Sequence, residues 1–387
     1  MSLKLLNLQG KAENYQLNGT PVVPPAQPVF NRKVLSAAHV VNDPTQAIIP
    51  AEQVAIDWES TLAYRRYLAS LGLGIAEAMD TAQRGMGLDW SNALELIRLT
   101  QQEIGTVPIY HGVGTDHLPV EKVKSLDEVL AAYLLQLDAV QQVGGRAIIM
   151  ASRALAAHAR SAEDYIAVYE KVLAHADHPV ILHWLGEMFD PSLSGYWGVK
   201  VTDPASFAVA RDVCLTVMNQ QPHKVAGIKI SLLDKQYEID LRRRLPKGVE
   251  MYTGDDFNYP ELILGDEQGY SHALLGIFDA VAPVASAALH ALNQGEIQRY
   301  QQLLGNTLEL SRCIFEAPTR FYKTGVVFLA WLNGHQTHFT MLGGQQAMRS
   351  LPHLCQVFRL ADQAGVLQNP ALAEQRMRQL LQVYGVN

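Results

Sequence analysis

Lys229, in the apolar run Val225-Ala226-Gly227-Ile228-Lys229-Ile230-Ser231, is the residue whose type and setting point most directly to chemistry. Burying an ammonium strips its hydration, so a buried lysine is pushed toward its neutral amine. That amine is the form that adds to a carbonyl carbon and proceeds to a Schiff base. Near the C-terminal end of a barrel strand it would stand where such chemistry is done. The same heptapeptide also fits an edge strand whose lysine carries its head out into water.

Positioning such a residue takes a rigid frame, and the chain supplies the pattern of one. Strand-like apolar runs are predicted at Val34–Val41, Gly74–Met79, Val107–His111, Arg146–Ala151, Val180–Trp184, Val225–Ile230, Glu250–Thr253 and Gly269–Leu275. Amphipathic stretches such as Trp58–Leu71, Ser91–Ile104, Ser125–Val143, Ala162–Ala176, Asp203–Asn219 and Asp279–Leu292 lie between or after them. Eight strands alternating with helices is the pattern of a (β/α)8 TIM barrel. The short, mostly apolar runs fit strands buried on both faces.

The expected domains are an N-terminal extension over 1–32, the barrel over 33–295 and a helical region over 296–387. The extension is read as a hairpin around Gln9-Gly10-Lys11 followed by a lead-in with Pro21, Pro24, Pro25 and Pro28, acting as a lid or plug on the closed end. The last region is expected to form additional C-terminal helices outside the barrel, of the kind that build a subunit interface.

In a barrel, function gathers at the C-terminal strand ends. Those ends carry His39, then Glu77, Asp80 and Thr81, then His111 and Asp116, Ser152 and Arg153, His183, Lys229, Asp255 and Asp256, and finally Ser271 and His272. Each has an ordinary reading: a histidine hydrogen-bonded in the core, or an aspartate capping the next segment. Their convergence on one end of one barrel is what favours an active site.

Bulk properties narrow the class. With 48% hydrophobic and 18% charged residues the chain is globular rather than disordered. The net charge of −7, with Arg242-Arg243-Arg244 offset by Glu238 and Asp240, argues against nucleic acid as a partner. Cys214, Cys313 and Cys355 show no metal-ligand spacing and suit a reduced, cytoplasmic setting. No signal-peptide pattern or membrane-length apolar run stands out, so a membrane is not an expected partner.

Several segments, in order, resemble the dihydrodipicolinate synthase and N-acetylneuraminate lyase superfamily of class I aldolases. They are Ile56-Asp57-Trp58 with Leu71-Gly72-Leu73-Gly74-Ile75, Met79-Asp80-Thr81-Ala82-Gln83, His111-Gly112-Val113-Gly114, Pro179-Val180-Ile181-Leu182-His183-Trp184, Gly227-Ile228-Lys229 and Thr253-Gly254-Asp255-Asp256. Phe315-Glu316-Ala317-Pro318, Lys323 and Asn333-Gly334 extend the resemblance, which covers roughly 33–335. It implies a barrel with C-terminal helices, a homodimer or homotetramer, no cofactor, and Lys229 as the imine-forming residue. Three departures mark a divergent branch. Asp80 stands at the first threonine of the family's pair, leaving Thr81; His183 replaces the strand-five tyrosine; Ala151-Ser152-Arg153 replaces Pro-Tyr-Tyr.

The resulting expectation is a lyase or aldolase acting through an imine on Lys229 upon a small carbonyl, hydroxy-acid or sugar-derived substrate. Lys229, His183 and Thr81 are the expected catalytic residues. Asp80, His111, Arg153, Asp255, Asp256 and His272 are the expected substrate-binding residues. His183 suits proton transfer by its ordinary pKa, Asp80 and Thr81 suit substrate hydroxyls, and Arg153 suits a carboxylate or phosphate. One rival is a metal-dependent aldolase or sugar isomerase using Glu77, Asp80, His39, His111, His183 and His272, against which stands the lack of any His-x-His or His-Glu-x-x-His spacing. Another is a binding protein on an aldolase scaffold.

Overall fold

The computed structural model describes residues 3–386. Met1 and Ser2 of the expected extension and Asn387 of the expected C-terminal region lie outside the described residues. Ten strands are present among them: β1 (Leu3–Leu6), β2 (Ala12–Tyr15), β3 (Val34–Ala37), β4 (Gly74–Glu77), β5 (Ile109–Val113), β6 (Arg146–Ile149), β7 (Val180–Leu185), β8 (Val225–Ser231), β9 (Glu250–Thr253) and β10 (His272–Leu275). Strands β3 to β10 are parallel and close on themselves in sequence order, β10 pairing with β3. The fold is a (β/α)8 TIM barrel with an antiparallel N-terminal hairpin, β1–β2, and C-terminal helices.

Fifteen α-helices follow in chain order among the described residues: α1 (Trp58–Ser70), α2 (Trp90–Glu103), α3 (Leu126–Gln142), α4 (Arg153–His158), α5 (Ala162–His175), α6 (Pro204–Gln220), α7 (Lys235–Arg242), α8 (Tyr259–Leu264), α9 (Ile277–Ala280), α10 (Ala282–Asn293), α11 (Ile297–Gly305), α12 (Leu308–Ile314), α13 (Tyr322–Leu332), α14 (Leu351–Gln363) and α15 (Pro370–Val383). Many begin where the sequence signals a start. Asp57, Asp89 and Ser125 accept from the backbone N–H of Ser60, Asn92 and Glu128, and Asp203 with Ser206 forms a reciprocal capping box. None of these helices is long and apolar enough to cross a membrane.

The chain forms two compact units. One comprises residues 32–37 and 74–275 and holds all eight barrel strands; the other comprises 3–31, 38–73 and 276–386. Inside the barrel, side chains from alternate strand positions meet in one core that includes Leu35, Ala37, Ala76, Tyr110, Ile148, Ile181, Tyr252 and Leu274.

In the second unit the hairpin is docked on α14. The Tyr15 hydroxyl donates to Asp362 at 2.7 Å, and the Arg359 guanidinium donates to the Leu5 and Leu6 carbonyls. These contacts hold the hairpin to α14.

Two expected strands are three or four residues shorter than the apolar pattern suggested. After Ala37 the backbone leaves the ladder: His39 N–H donates to Asp279 and Val41 N–H to the Thr61 hydroxyl. Before His272, Gly269 forms a tight turn with Asp266 at φ +140°, and Ser271 N–H donates to Leu262, so β10 begins only at His272.

Candidate active site

Strand β8 sets the centre of the site. Its register places Lys229 opposite His183 on β7 and Tyr252 on β9. Ile181, two residues before His183, and Tyr252 both belong to the interior core, so Lys229 and His183 point into the barrel. Lys229 is 7% exposed. Burial pushes its pKa below the ordinary lysine value, while the charges of Asp80 and Asp256 pull it back up.

Lysine can occupy this place because Gly254, the residue after β9, lacks a side chain. A Cβ there would stand 2.6 Å from Lys229 Cε and 2.2 Å from Ser231 Oγ. Beyond it, the Asp255 carboxylate turns back on its own loop. It accepts from the N–H groups of Phe257 and Asn258 and from the Asn258 side-chain amide. Asp255, expected to bind substrate, thus caps its own turn. Asp256, 3% exposed, is the acid of this pair whose charge reaches Lys229.

His183 is 1% exposed. Burial, reinforced by the charge of Lys229, holds its pKa well below the usual histidine value. The resting imidazole is neutral, so it accepts a proton rather than storing one. Its Nε2 lies 3.4 Å from Ser231 Oγ, and its Nδ1 lies 3.9 Å from an Asp80 carboxylate oxygen with no hydrogen-bond partner of its own. With the ring neutral, the Asp80 contact is one of ion and dipole rather than a salt bridge.

Asp80 opens a single-turn helix, Asp80–Ala82, directly after β4. Two non-glycine residues in the left-handed region bracket it, Ala78 at φ 53° and Gln83 at φ 65°. Such backbone costs of order 1–3 kcal/mol each and persists where the surroundings over-determine it. Arg84 supplies that hold. Its fully buried guanidinium donates to both Asp116 oxygens, to the Gln136 side chain, and to the carbonyls of Ala78 and Gly112. Burial alone would raise the Asp116 pKa, but Arg84 brings it down to about 2. Thr81 is buried in the same turn.

A cavity of about 220 Å³ opens here, with Asp80 and His183 in its wall; Lys229 is not among the lining residues. Arg84, Asp116, Arg153 and Asp190 complete its charged lining. Arg153 begins α4, donates to Asp190 at 2.5 Å and to the Gly85 carbonyl at 3.3 Å, and keeps 38% of its side chain exposed. It thus ties together the loops that follow β4, β6 and β7.

Two expected binding residues lie elsewhere. His111 sits in mid-strand, next to the inward Tyr110, and its Nε2 meets Gln101 on α2 at 2.9 Å. It faces the helix layer, where burial lowers its pKa to about 4. His272 is the first residue of β10, so it lies at the N-terminal end of the barrel. There its Nδ1 accepts from Lys33 N–H, and its Nε2 stands 3.6 Å from Glu250.

The proposed metal set is likewise dispersed. Glu77 accepts from Ala78 N–H and the Thr100 hydroxyl, and His39 pairs with Asp279. Among the described residues no three His, Cys, Asp or Glu side chains are grouped to hold a metal ion.

Sequence reading missed Ser231 and Asp190 as members of this site. Ser231 was detectable, because it lies two residues beyond Lys229 and therefore on the same strand face. Asp190 sits in a loop with no periodic pattern to place it.

The architecture is that of known solved structures. A Pseudomonas aeruginosa protein provisionally described as a dihydrodipicolinate synthetase superposes with a TM-score of 0.64 at 15% identity, covering 86% of this chain and 99% of its own. The dihydrodipicolinate synthase of Aquifex aeolicus gives 0.60 at 12% identity, covering 92% and 98%. That of Acinetobacter baumannii, solved with pyruvate, gives 0.61 at 15% identity, covering 87% and 99%. At these identities the likeness establishes the fold. No curated protein matches the sequence. A family model described as "Protein of unknown function (DUF993)" matches residues 3–386, and the chain belongs to that family.

Proposed function

We propose that this protein is a lyase of the class I aldolase type that works through an imine on Lys229. The observation that carries this reading is the placement of a buried lysine inside the barrel, opposite a neutral histidine and under the influence of two aspartates. The Lys229 amine adds to a carbonyl carbon, the oxygen takes up a proton, and loss of water leaves an iminium. That cation withdraws electrons from the adjacent carbon. Cleavage of the next C–C bond, or loss of a β-hydroxyl, then needs one proton moved, and His183 is the neutral base within the wall of the cavity. Its low proton affinity lets it return that proton readily when the enamine is quenched.

The lining favours a hydroxylated, sugar-derived carbonyl compound over a 2-oxo acid. Asp80, Asp116 and Asp190 outnumber Arg84 and Arg153 there, and Arg84 is engaged by Asp116, Gln136 and two backbone carbonyls. A carboxylate beside Asp80 would meet like charge, whereas hydroxyls would find an acceptor. An anionic group at the far end of a substrate would have to compete with Asp190 for Arg153.

Turnover assays over a panel of polyhydroxy aldehydes, ketones and sugar acids test this reading. Activity found with any of them should be lost in Lys229→Met, and a Lys229→Met protein with full turnover would end the imine mechanism.

A further inference from the structure

Ser231 is the polar group next to Lys229 to which the imine mechanism gives no task. It ends β8, two residues past Lys229 on the same face, and is 1% exposed. Its hydroxyl and the Lys229 stem crowd one spot, since a Cβ on Gly254 would touch both Ser231 Oγ and Lys229 Cε. Among the described residues its hydroxyl has one hydrogen-bond partner, His183 Nε2 at 3.4 Å.

A buried hydroxyl seeks an acceptor, and a neutral imidazole offers one on a single nitrogen. If Ser231 donates to Nε2, the ring proton sits on Nδ1, the nitrogen that faces Asp80 at 3.9 Å and has no other partner. The arrangement is serine, histidine, aspartate, contributed by β8, β7 and the turn after β4, with the serine beside the lysine. Separations of this length in an unliganded site are common and tighten when substrate is bound.

We propose that Ser231 passes protons between the Lys229 reaction centre and His183, with Asp80 fixing the histidine tautomer. This rests on the imine reading and assigns the step that reading left open. As the amine nitrogen bonds to the carbonyl carbon, its surplus proton passes through the Ser231 hydroxyl to His183 Nε2. The alkoxide takes one proton from solvent, and the proton held on His183 then returns by the same route to that same oxygen. The C–O bond breaks, one water leaves, and the iminium remains, with His183 and Ser231 restored.

Two measurements on the intact protein test the proposal together. The first is the ¹⁵N spectrum of histidine-labelled protein, in wild type and Ser231→Ala. The second is the rate of reductive trapping of glycolaldehyde on the Lys229 peptide by cyanoborohydride, followed across pH by mass spectrometry. In wild type, His183 should show the Nδ1–H tautomer with a hydrogen-bonded Nε2. In folded Ser231→Ala that Nε2 resonance should move to an unbonded position. Its trapping rate should fall by about tenfold or more and lose the wild-type dependence on pH. Ser231→Thr, which keeps the hydroxyl, should restore both.

A Ser231→Ala protein that traps at the wild-type rate with the wild-type pH profile, or whose His183 resonance is unmoved, overturns the role of Ser231 and leaves Lys229 chemistry standing. A wild-type protein that takes no adduct on Lys229 overturns the imine reading and this role with it.

Discussion

At the scale of single residues, Asp80 acts on the charge of Lys229 and, under the proposed imine reading, on the charge a substrate meets. Its carboxylate raises the lysine pKa, against the larger effect of burial. Asp80→Asn should therefore move the pH at which Lys229 reacts with glycolaldehyde downward, as a pH series of trapping rates would show; an upward move would contradict this balance of burial and charge. Asp80→Thr should raise trapping of pyruvate relative to glycolaldehyde, because a like charge is replaced by a hydroxyl donor. An unchanged ratio would remove Asp80 from the substrate's path. Lys229, His183, Asp80 and Asp256 were legible as site candidates because each stands at or near the C-terminal end of its strand. His111 was not separable from them in sequence. In Ile109-Tyr110-His111-Gly112-Val113 both faces of the strand are buried, so no alternation tells inward from outward. His272 lies midway along the expected run Gly269–Leu275, and because the strand begins three residues later than that run it stands first in β10.

At the scale of elements, the turn from β9 to α8 packs closely against the lysine at Gly254. Gly254→Ala would force a methyl between Lys229 Cε and Ser231 Oγ. Overpacking of this kind typically costs about 1–3 kcal/mol, and here it also displaces the amine. Denaturant unfolding should show the loss, and trapping on Lys229 should fall more than in a control substitution elsewhere in the barrel. The hairpin makes a separate case. Tyr15→Phe removes the hydroxyl that donates to Asp362 and should cost about 1 kcal/mol, leaving Asp362 its backbone donors from Asn18 and Gly19. No change in the unfolding midpoint would show that the bond contributes nothing in solution. The strand and helix alternation made these elements legible. The docking of β1–β2 on α14 was not, since a tyrosine and an aspartate 347 positions apart leave no local signal.

At the scale of the whole molecule, one buried acid links stability to pH. Glu238 on α7 accepts from the Thr253 and Ser271 hydroxyls, and burial pushes its pKa up from 4.5 to about 8 against those hydrogen bonds. Between these values the folded protein holds a proton that the unfolded chain has released. This group's contribution therefore falls as pH rises from about 4.5 through 8. Glu238→Gln keeps the shape and removes the titration, so the stability of the variant relative to wild type should rise across that window. Urea unfolding of both proteins at several pH values checks this, with the shared histidine titrations cancelling in the difference. A constant difference would place the Glu238 pKa outside the window. The barrel was readable from eight apolar runs alternating with helical periodicity. The division into two compact units was not, because residues 38–73 and 276–386 group by contacts that no local pattern encodes.

The sharpest test of the imine on Lys229 is borohydride reduction of the wild-type protein in the presence of ¹³C-labelled small carbonyl compounds, followed by peptide mapping. A stable adduct is expected, its mass carrying the label on the peptide containing Lys229 and its yield vanishing in Lys229→Met. Label absent from that peptide with every carbonyl compound, or retained in Lys229→Met at wild-type yield, would rule the imine out.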